Sequence, residues 1–392
     1  MWGIPNNLNG VLIRQFMKSL ELSRFQAGLI QSAFYMGYFV LAVPAALLMR
    51  KFSYKAGIVF GLLLYSAGCL LFWPAAIVGK YGVFLLALFV IASGLAFLET
   101  GANPFIALLG KPQSSEQRLN FSQAFNPIGS VTGVLLGTIF IFSGIEPDAE
   151  KIDAMKLAGQ YDSFLQHETM RVVQPYLGLA LFALLWAILI IKVKFPTLET
   201  PMEKEGNSMG RFRDLLKYPH FWKGVLAQFF YVGAQVGTWS YFIPYVQDYT
   251  SQPDKVAGYF LTGTLVAFGF GRFSATWLMQ YFLPNRLMAV YSLINVVLVG
   301  FSILMPGWIG MWAIFLTSFF MSLMYPTIFA SSIKGLGRNT KIGGSILVMA
   351  IIGGALCTPL MGYISETSDS MAIAMTVPLV AYLYIFYYSL NR

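Results

Sequence analysis

Apolar residues run along this chain in long stretches separated by short polar segments. The stretches are apolar on all sides, as at residues 83–97 and 176–191, and do not alternate between apolar and polar positions. Alternation would indicate membrane-barrel strands, whereas runs of about 20 apolar residues indicate helices that cross a hydrocarbon layer. The predicted spans are residues 1–17, 25–49, 56–78, 82–110, 119–143, 173–194, 219–247, 256–281, 286–306, 308–335, 341–365 and 371–390.

The composition agrees with a membrane protein and excludes a soluble one. Of the 392 residues, 57% are hydrophobic and 11% are charged, against about 25% charged residues in soluble domains. The predicted fold class is therefore an all-α polytopic membrane protein with twelve transmembrane helices. The first span, at residues 1–17, is short and opens on a polar run, so we expect it to be truncated.

The net charge of +9 is explained by membrane topology and does not indicate nucleic-acid binding. Most lysines and arginines fall on one set of alternate loops and adjoining helix ends, which the positive-inside rule places in the cytoplasm. The opposite set holds only Arg14, Lys18, Arg24, Lys80, Lys151, Lys156, Arg171 and Lys255. We therefore expect a multi-pass protein of the cell inner (plasma) membrane with a cytoplasmic C-terminus.

One long hydrophilic segment, residues 195–217, divides the spans six and six and is interpreted as a cytoplasmic linker. It separates predicted six-helix bundles at residues 1–194 and 218–392. Weak internal similarity supports two parallel repeats, because residues 103–105 match residues 325–327 at an offset of 222. Such repeats place a substrate site between the halves near the bilayer midplane.

The external segment 144–172 is rich in acidic residues, and we interpret it as a solvated face and not as a metal site. A surface helix is expected within residues 151–164. Cys69 and Cys357 lie far apart in predicted spans, so they indicate packing and neither a disulfide nor a metal motif.

Two ionisable residues, Glu99 and Arg272, lie deep inside predicted spans, where a charge costs at least about 2.5 kcal/mol. Such residues are candidates for a functional role. Asn103 follows Glu99 by one turn, so carboxylate and amide share a helix face next to Pro104. The alternative is a structural ion pair between Glu99 and a basic residue such as Arg272, which is otherwise interpreted as a structural or gating charge.

Amides and aromatic rings at helical spacing suit a sugar, because amides both donate to and accept from hydroxyls and rings pack on its C–H face. The alternative is hydrogen bonding and packing among the helices. The candidate substrate-binding residues on these spans are Asn6, Asn7, Gln31, Tyr35, Asn103, Gln123, Asn126, Gln228, Tyr231, Gln235, Trp239 and Tyr325.

Distinctive segments occur at residues 2–16, 25–38, 98–105, 118–126, 226–241, 259–278 and 325–337, including WGIPNNLNGVLIRQF, LETGANPF and RLNFSQAFN. These segments resemble the fucose permease family of sugar–proton symporters within the major facilitator superfamily. The resemblance implies a major facilitator fold with a protonatable carboxylate at Glu99. It also implies sugar hydrogen bonds from Gln123 and Asn126, and a cavity lined by Trp2 and Trp239.

One position departs from this family, which normally has an aspartate where this chain has Gly10. Glu99 is then the sole predicted buried acid. The expected function is import of L-fucose, or a related hexose or 6-deoxyhexose, by proton symport through alternating access. The alternatives are a uniporter, a carrier of another sugar such as galactose, glucose or an amino sugar, and a non-transporting sugar sensor.

No nucleophile–base constellation indicates an enzyme, since His167 and His220 lie at loop or interface positions. We expect no cofactor other than protons as the coupling ion. The expected partners are a sugar and the lipid bilayer, with the chain acting as a monomer.

Overall fold

The computed structural model describes residues 3–108, 125–195, 212–279, 281–336 and 339–391. Within these ranges the chain forms helices joined by short connections, without a strand. Nine of the described helical stretches are long and apolar enough to cross a membrane. The predicted class, an all-helical multi-pass membrane protein, is thereby confirmed.

The first half of the chain contains nine described helices. They are α1 (Gly3–Ser19), α2 (Arg24–Lys51), α3 (Tyr54–Leu70), α4 (Phe72–Val78), α5 (Tyr81–Leu108), α6 (Asn126–Leu136), α7 (Ala149–Leu157), α8 (Tyr161–Met170) and α9 (Val173–Lys192). The predicted span 56–78 is divided at Leu71 into α3 and α4. The predicted span 119–143 can be compared only from residue 125 onward.

The second half contains ten described helices. They are α10 (Phe212–Leu215), α11 (Pro219–Thr250), α12 (Asp254–Leu278), α13 (Pro284–Leu304), α14 (Trp308–Met321), α15 (Met324–Ile333), α16 (Thr340–Met349), α17 (Gly353–Thr367), α18 (Met371–Ala374) and α19 (Thr376–Leu390). The predicted span 308–335 is divided into α14 and α15, and the span 341–365 into α16 and α17, which a 3₁₀ turn at Ala350–Ile352 connects.

The chain divides into two compact units. The first comprises Met1–Leu22, Ala33–Thr200 and Pro253–Lys255, and the second comprises Ser23–Ser32, Pro201–Gln252 and Val256–Arg392. The start of α2 therefore packs with the second unit, although the rest of α2 packs with the first. The linker at residues 195–217 stays a prediction, since residues 196–211 lie outside the described ranges.

Glycines allow helix backbones to approach closely within each unit. In the first unit, a Cβ at Gly94 of α5 would overlap the backbone of Gly61 and Tyr65 in α3. In the second unit, a Cβ at Gly353 would overlap the backbone of Phe229 in α11. Small residues have this effect in membrane bundles because helices there associate through close van der Waals packing.

Helix α6 continues into a π-helical turn, Gly137–Ile141. The end of this turn is stabilised by Arg171, whose guanidinium donates to the carbonyl oxygens of Ile141 at 2.7 Å and Phe142 at 3.2 Å. These bonds satisfy two carbonyl groups that have no helical partner where a helix ends.

The segment 144–172 differs from its prediction in two ways. It forms two helices, α7 and α8, and not one around residues 151–164, because Gly159 adopts a left-handed φ of 65° between them. The interpretation as a solvated face is wrong for Glu168, which is 1% exposed and pairs with Lys18 at 3.0 Å. The acidic residues of α7 are exposed, as expected.

Candidate functional site

Glu99 of α5 lies at the centre of a polar group in the first unit. The Tyr38 hydroxyl donates a hydrogen bond to Oε1 of Glu99 at 3.0 Å. This hydrogen bond joins α5 to α2. Among the residues that the structure describes, no basic side chain forms an ion pair with Glu99.

This arrangement allows Glu99 to gain and lose a proton without a change of partner. A carboxyl oxygen accepts from Tyr38 whether the carboxyl group is neutral or charged. A carboxylate inside apolar surroundings is costly without a cation, whereas the neutral acid is far less so. The geometry therefore suits a group that binds and releases protons.

Tyr35, which was predicted as a substrate contact, lies beside this group. Its ring stacks on that of Tyr38, with 6.3 Å between the ring centroids. Tyr35 and Glu99 are both partly exposed. The structure thus places an accessible aromatic surface next to the carboxyl group.

Gln31 occupies a different environment, although it shares a helical face with Tyr35 and Tyr38. It is 3% exposed, and its amide nitrogen donates to the Ser240 hydroxyl at 2.8 Å within the second unit. Gln31 and Tyr35 therefore have different neighbours, and the role of Gln31 as a substrate contact stays a prediction.

The other candidates of the first unit are only partly described. Asn126 begins α6 and is partly exposed, with its Oδ1 3.3 Å from the Ser130 hydroxyl. Asn7 donates to the Gly3 carbonyl of its own helix at 2.9 Å. Trp2 and Gln123 lie outside the described residues, as does the side chain of Asn103.

In the second unit, α11 carries two fully buried polar side chains, Gln228 and Tyr231, which are both 0% exposed. Among the described residues, neither the amide atoms of Gln228 nor the Tyr231 hydroxyl has a hydrogen-bond partner. A buried polar atom left unsatisfied costs about 1–3 kcal/mol. Such groups are suited to a polar ligand that supplies hydroxyls.

The remaining candidates of the second unit lie on α11 with Gln228 and Tyr231, or on other helices of this unit. Tyr325 packs on Tyr231 with 6.1 Å between ring centroids, while Gln235 and Trp239 are partly exposed. The Arg272 guanidinium lies 5.0 Å from the ring centroid of Phe268, and its buried Nε has no hydrogen-bond partner in the part of the chain that the structure describes. The structure thus brings together Tyr231 and Tyr325, whose sequence positions are distant.

A second polar network, which the sequence did not reveal, lies in the first unit. Arg14 pairs with Asp254 at 2.7 Å, and Gln15 donates to Glu168. Glu146 accepts a hydrogen bond from the backbone nitrogen of Asp254. The only sequence signal was the spacing of Arg14 and Lys18 on one helical face, which does not identify their partners.

Comparison with known proteins establishes the class. Residues 3–358 match the model of the Major Facilitator Superfamily. The chain belongs to this superfamily and, within it, to the family of L-fucose–proton symporters. It is a transporter and not an enzyme.

Relatives with assigned names cover the whole chain. It is 42% identical to the L-fucose-proton symporter of Escherichia coli, over 100% of this chain and 90% of that protein. It is 33% identical to the L-fucose-proton symporter of Haemophilus influenzae, over 99% and 93%. It is also 33% identical to the glucose/galactose transporter of Brucella abortus, over 100% and 91%.

Solved structures of other transporters also match this chain along its whole length. The crystal structure of the transporter FucP in its outward conformation matches with a TM-score of 0.72 at 41% identity, covering 100% of this chain and 95% of that one. A bacterial homologue of the human lysosomal transporter Spinster matches with a TM-score of 0.75 at 15% identity, covering 100% and 94%. The second likeness concerns the fold alone.

Proposed function

We propose that this protein imports L-fucose, or a closely related hexose or 6-deoxyhexose, by proton symport through alternating access. The observation that carries the proposal is the Glu99 carboxyl group, which accepts from Tyr38 and has no ion-pair partner among the described residues. The names of the relatives at 42% and 33% identity support L-fucose as the sugar.

In this mechanism an external proton neutralises Glu99 before or while sugar binds. Neutralisation removes the cost of enclosing a charged carboxylate, so the loaded carrier can close to the outside. Release of the proton to the more alkaline cytoplasm returns Glu99 to its charged form. Tyr38 holds the carboxyl group in place during both steps.

The sugar is recognised by amides and aromatic rings in both units. Asn126 and Gln123 contribute from the first unit, with Trp2 and Asn103 as further candidates. Among the groups of the second unit are Gln228, Tyr231, Gln235, Trp239 and Tyr325. The amide of Gln228 and the hydroxyl of Tyr231, which have no hydrogen-bond partner among the described residues, support this assignment, because sugar hydroxyls can satisfy both.

A second candidate substrate is D-glucose or D-galactose. The observation that favours it is the 33% identity to a glucose/galactose transporter, which equals the identity to the H. influenzae fucose symporter. Competition of unlabelled L-fucose, galactose, glucose and glucosamine against labelled L-fucose uptake distinguishes the substrates.

The proposal also includes the membrane location, the coupling ion and the oligomeric state of the protein. We place the protein in the cell inner membrane with its C-terminus in the cytoplasm, because the basic residues collect on one set of loops. Protons are the coupling ion, and no further cofactor takes part. We assign the active unit as a monomer in a lipid bilayer.

The test measures external pH. L-Fucose is added to lightly buffered suspensions of de-energised cells. Separate samples express the unmodified chain, the Glu99→Gln variant and the Glu150→Gln variant. Glu150 is a matched control because it is exposed on α7. We expect alkalinisation with the unmodified chain and with Glu150→Gln, and none with Glu99→Gln.

Other results would replace parts of the proposal. Entry of labelled fucose without a pH change indicates uniport. Binding of fucose to purified protein without entry indicates a sensor. Alkalinisation that persists in Glu99→Gln shows that another group carries the proton.

A further inference from the structure

The nitrogen of the Trp239 indole is held by a chain of hydrogen bonds inside the second unit. Trp239 Nε1 donates to the Ser318 hydroxyl at 3.0 Å, and the hydroxyls of Ser318 and Thr264 are 3.0 Å apart. Thr264 donates in turn to the carbonyl oxygen of Phe315 at 3.3 Å. With Ser318 donating to Thr264, each hydroxyl accepts one bond and donates one.

The hydroxyl groups of this hydrogen-bond chain are fully buried, whereas the indole of Trp239 is not. Ser318 and Thr264 are both 0% exposed, but Trp239 is only partly buried. The hydrogen bonds therefore fix the nitrogen edge of the indole from within the protein. Part of the ring stays accessible on the stripe of α11 that also carries Gln228 and Tyr231.

A second contact restricts the same ring. Phe268 packs against Trp239 at an interplanar angle of 84°, with 5.2 Å between ring centroids. Phe268 is itself covered by the guanidinium of Arg272, 5.0 Å from its centroid. Edge-to-face packing and a cation over a ring are both attractive, so Phe268 is held between two partners.

The neighbouring hydroxyls of Thr317 in α14 and of Ser322, directly after its end, bond to carbonyl groups of that same segment. Thr317 and Ser322 are equally buried, yet Thr317 donates to Ile314 at 2.6 Å and Ser322 to Phe319 at 2.7 Å, both carbonyls of their own segment. Ser318 instead joins side chains of α11 and α12. The Ser318 hydroxyl therefore links α14 to two other helices, which the stability of α14 itself does not require.

We propose that Ser318 and Thr264 are positioning residues, which orient the Trp239 indole as a platform for the apolar C–H face of a pyranose. The inference rests on the proposed function and deepens it. A tryptophan side chain has several rotamers, and stacking discriminates between sugars only if one of them is held. The hydrogen-bond chain selects that rotamer, so it contributes to the choice among hexoses.

The test compares two pairs of substitutions in the full-length transporter. Ser318→Ala and Thr264→Val break the hydrogen-bond chain, while Thr264→Ser keeps a hydroxyl group at position 264. Thr317→Val is the matched control, because it removes an equally buried hydroxyl whose hydrogen bond, to the Ile314 carbonyl, lies within α14. Uptake of labelled L-fucose gives KM and Vmax for each variant, and galactose competition gives the selectivity.

We expect Ser318→Ala and Thr264→Val to raise KM by about three- to ten-fold, the effect of losing one buried hydrogen bond, with Vmax within about two-fold. Both variants should also discriminate less well between L-fucose and galactose. The sugar-induced change in tryptophan fluorescence, identified by its loss in Trp239→Phe, should shrink in both. Thr264→Ser and Thr317→Val should resemble the unmodified chain.

Two results overturn the inference. Unchanged KM and selectivity in both Ser318→Ala and Thr264→Val show that the chain does not position the platform. An equal rise of KM in Thr317→Val shows a general packing effect. If the unmodified chain neither binds nor takes up fucose or galactose, the proposed function fails first, and the role of Trp239 as a sugar platform fails with it.

Discussion

Arg14 and Asp254 form an ion pair although 240 residues separate them in the sequence, with Nε of Arg14 2.7 Å from Oδ1 of Asp254. The two side chains differ in burial, because Arg14 is 25% exposed and Asp254 only 3%. Segment Pro253–Lys255 thereby packs in the first unit. Loss of the Arg14 charge and loss of the Asp254 charge should therefore destabilise the protein by different amounts.

Removal of Arg14 should destabilise the protein more than removal of Asp254. Arg14→Gln leaves a buried carboxylate without its cation, which costs about 3 kcal/mol in comparable pairs, whereas the arginine left by Asp254→Asn can reach water. Thermal unfolding in detergent micelles measures both, with exposed Arg286→Gln as the control. Equal losses in the two variants would contradict the unequal burial.

Glu146 should make stability depend on pH in the acidic range. Partial desolvation raises the pKa of this carboxyl group above its ordinary value although the residue is exposed, and the nearby Asp254 carboxylate adds to the rise, while the Asp254 backbone N–H and the cations Arg14 and Lys18 oppose it. A raised pKa in the folded state means that ionisation of Glu146 destabilises the fold at neutral pH. Acidification through that pKa removes this cost.

We therefore expect Glu146→Gln to be more stable than the unmodified chain at neutral pH, with the difference vanishing as the pH falls toward about 4. Unfolding midpoints across this range, with exposed Glu150→Gln alongside, test the sign. A difference that grows on acidification would show that Glu146 has a lowered pKa instead.

Tyr38→Phe should impair proton-coupled uptake more than sugar binding. It removes the donor that holds Glu99 at 3.0 Å but keeps the ring that stacks on Tyr35. A hydrogen bond to a charged group contributes about 1.5–3 kcal/mol, so uptake should fall about ten-fold or more. Tyr54→Phe, whose ring packs on Phe105, is the control. Coupled uptake at the unmodified rate in Tyr38→Phe would separate Tyr38 from proton transfer.

Gly94→Ala and Gly82→Ala should differ sharply, although both lie in α5. A Cβ at Gly94 would overlap the backbone of α3, while a Cβ at Gly82 would have no atom within 4 Å. Overpacking of this kind costs about 1–3 kcal/mol. Thermal stability in detergent should fall for Gly94→Ala and stay unchanged or rise slightly for Gly82→Ala. Equal stability would mean that α3 and α5 can separate without cost.

Burial of acidic residues shows where prediction from sequence fails. Glu99 could be identified because its neighbours along the chain are apolar, so its depth in a span is a local property. Glu168 lies among polar residues and looked solvated, yet it is 1% exposed. Its burial depends on Lys18 and Gln15, which are distant in sequence.

The stripe of Gln31, Tyr35 and Tyr38 illustrates the same limit. Helical spacing places the three side chains on one face of α2. It did not reveal that Gln31 bonds to Ser240 in the second unit while Tyr38 bonds to Glu99 in the first. A helix long enough to cross a membrane can meet different neighbours along its length.

The sequence by itself determined the helical membrane class, the approximate spans and the position of Glu99 inside one of them. These follow from the hydrocarbon core, which requires each crossing segment to be apolar and to satisfy its own backbone hydrogen bonds. Only the tertiary structure decided the partners, such as Tyr38 for Glu99 and Ser318 for Trp239. Hydrogen bonds between helices depend on their rotation and depth against one another, which distant packing residues set together.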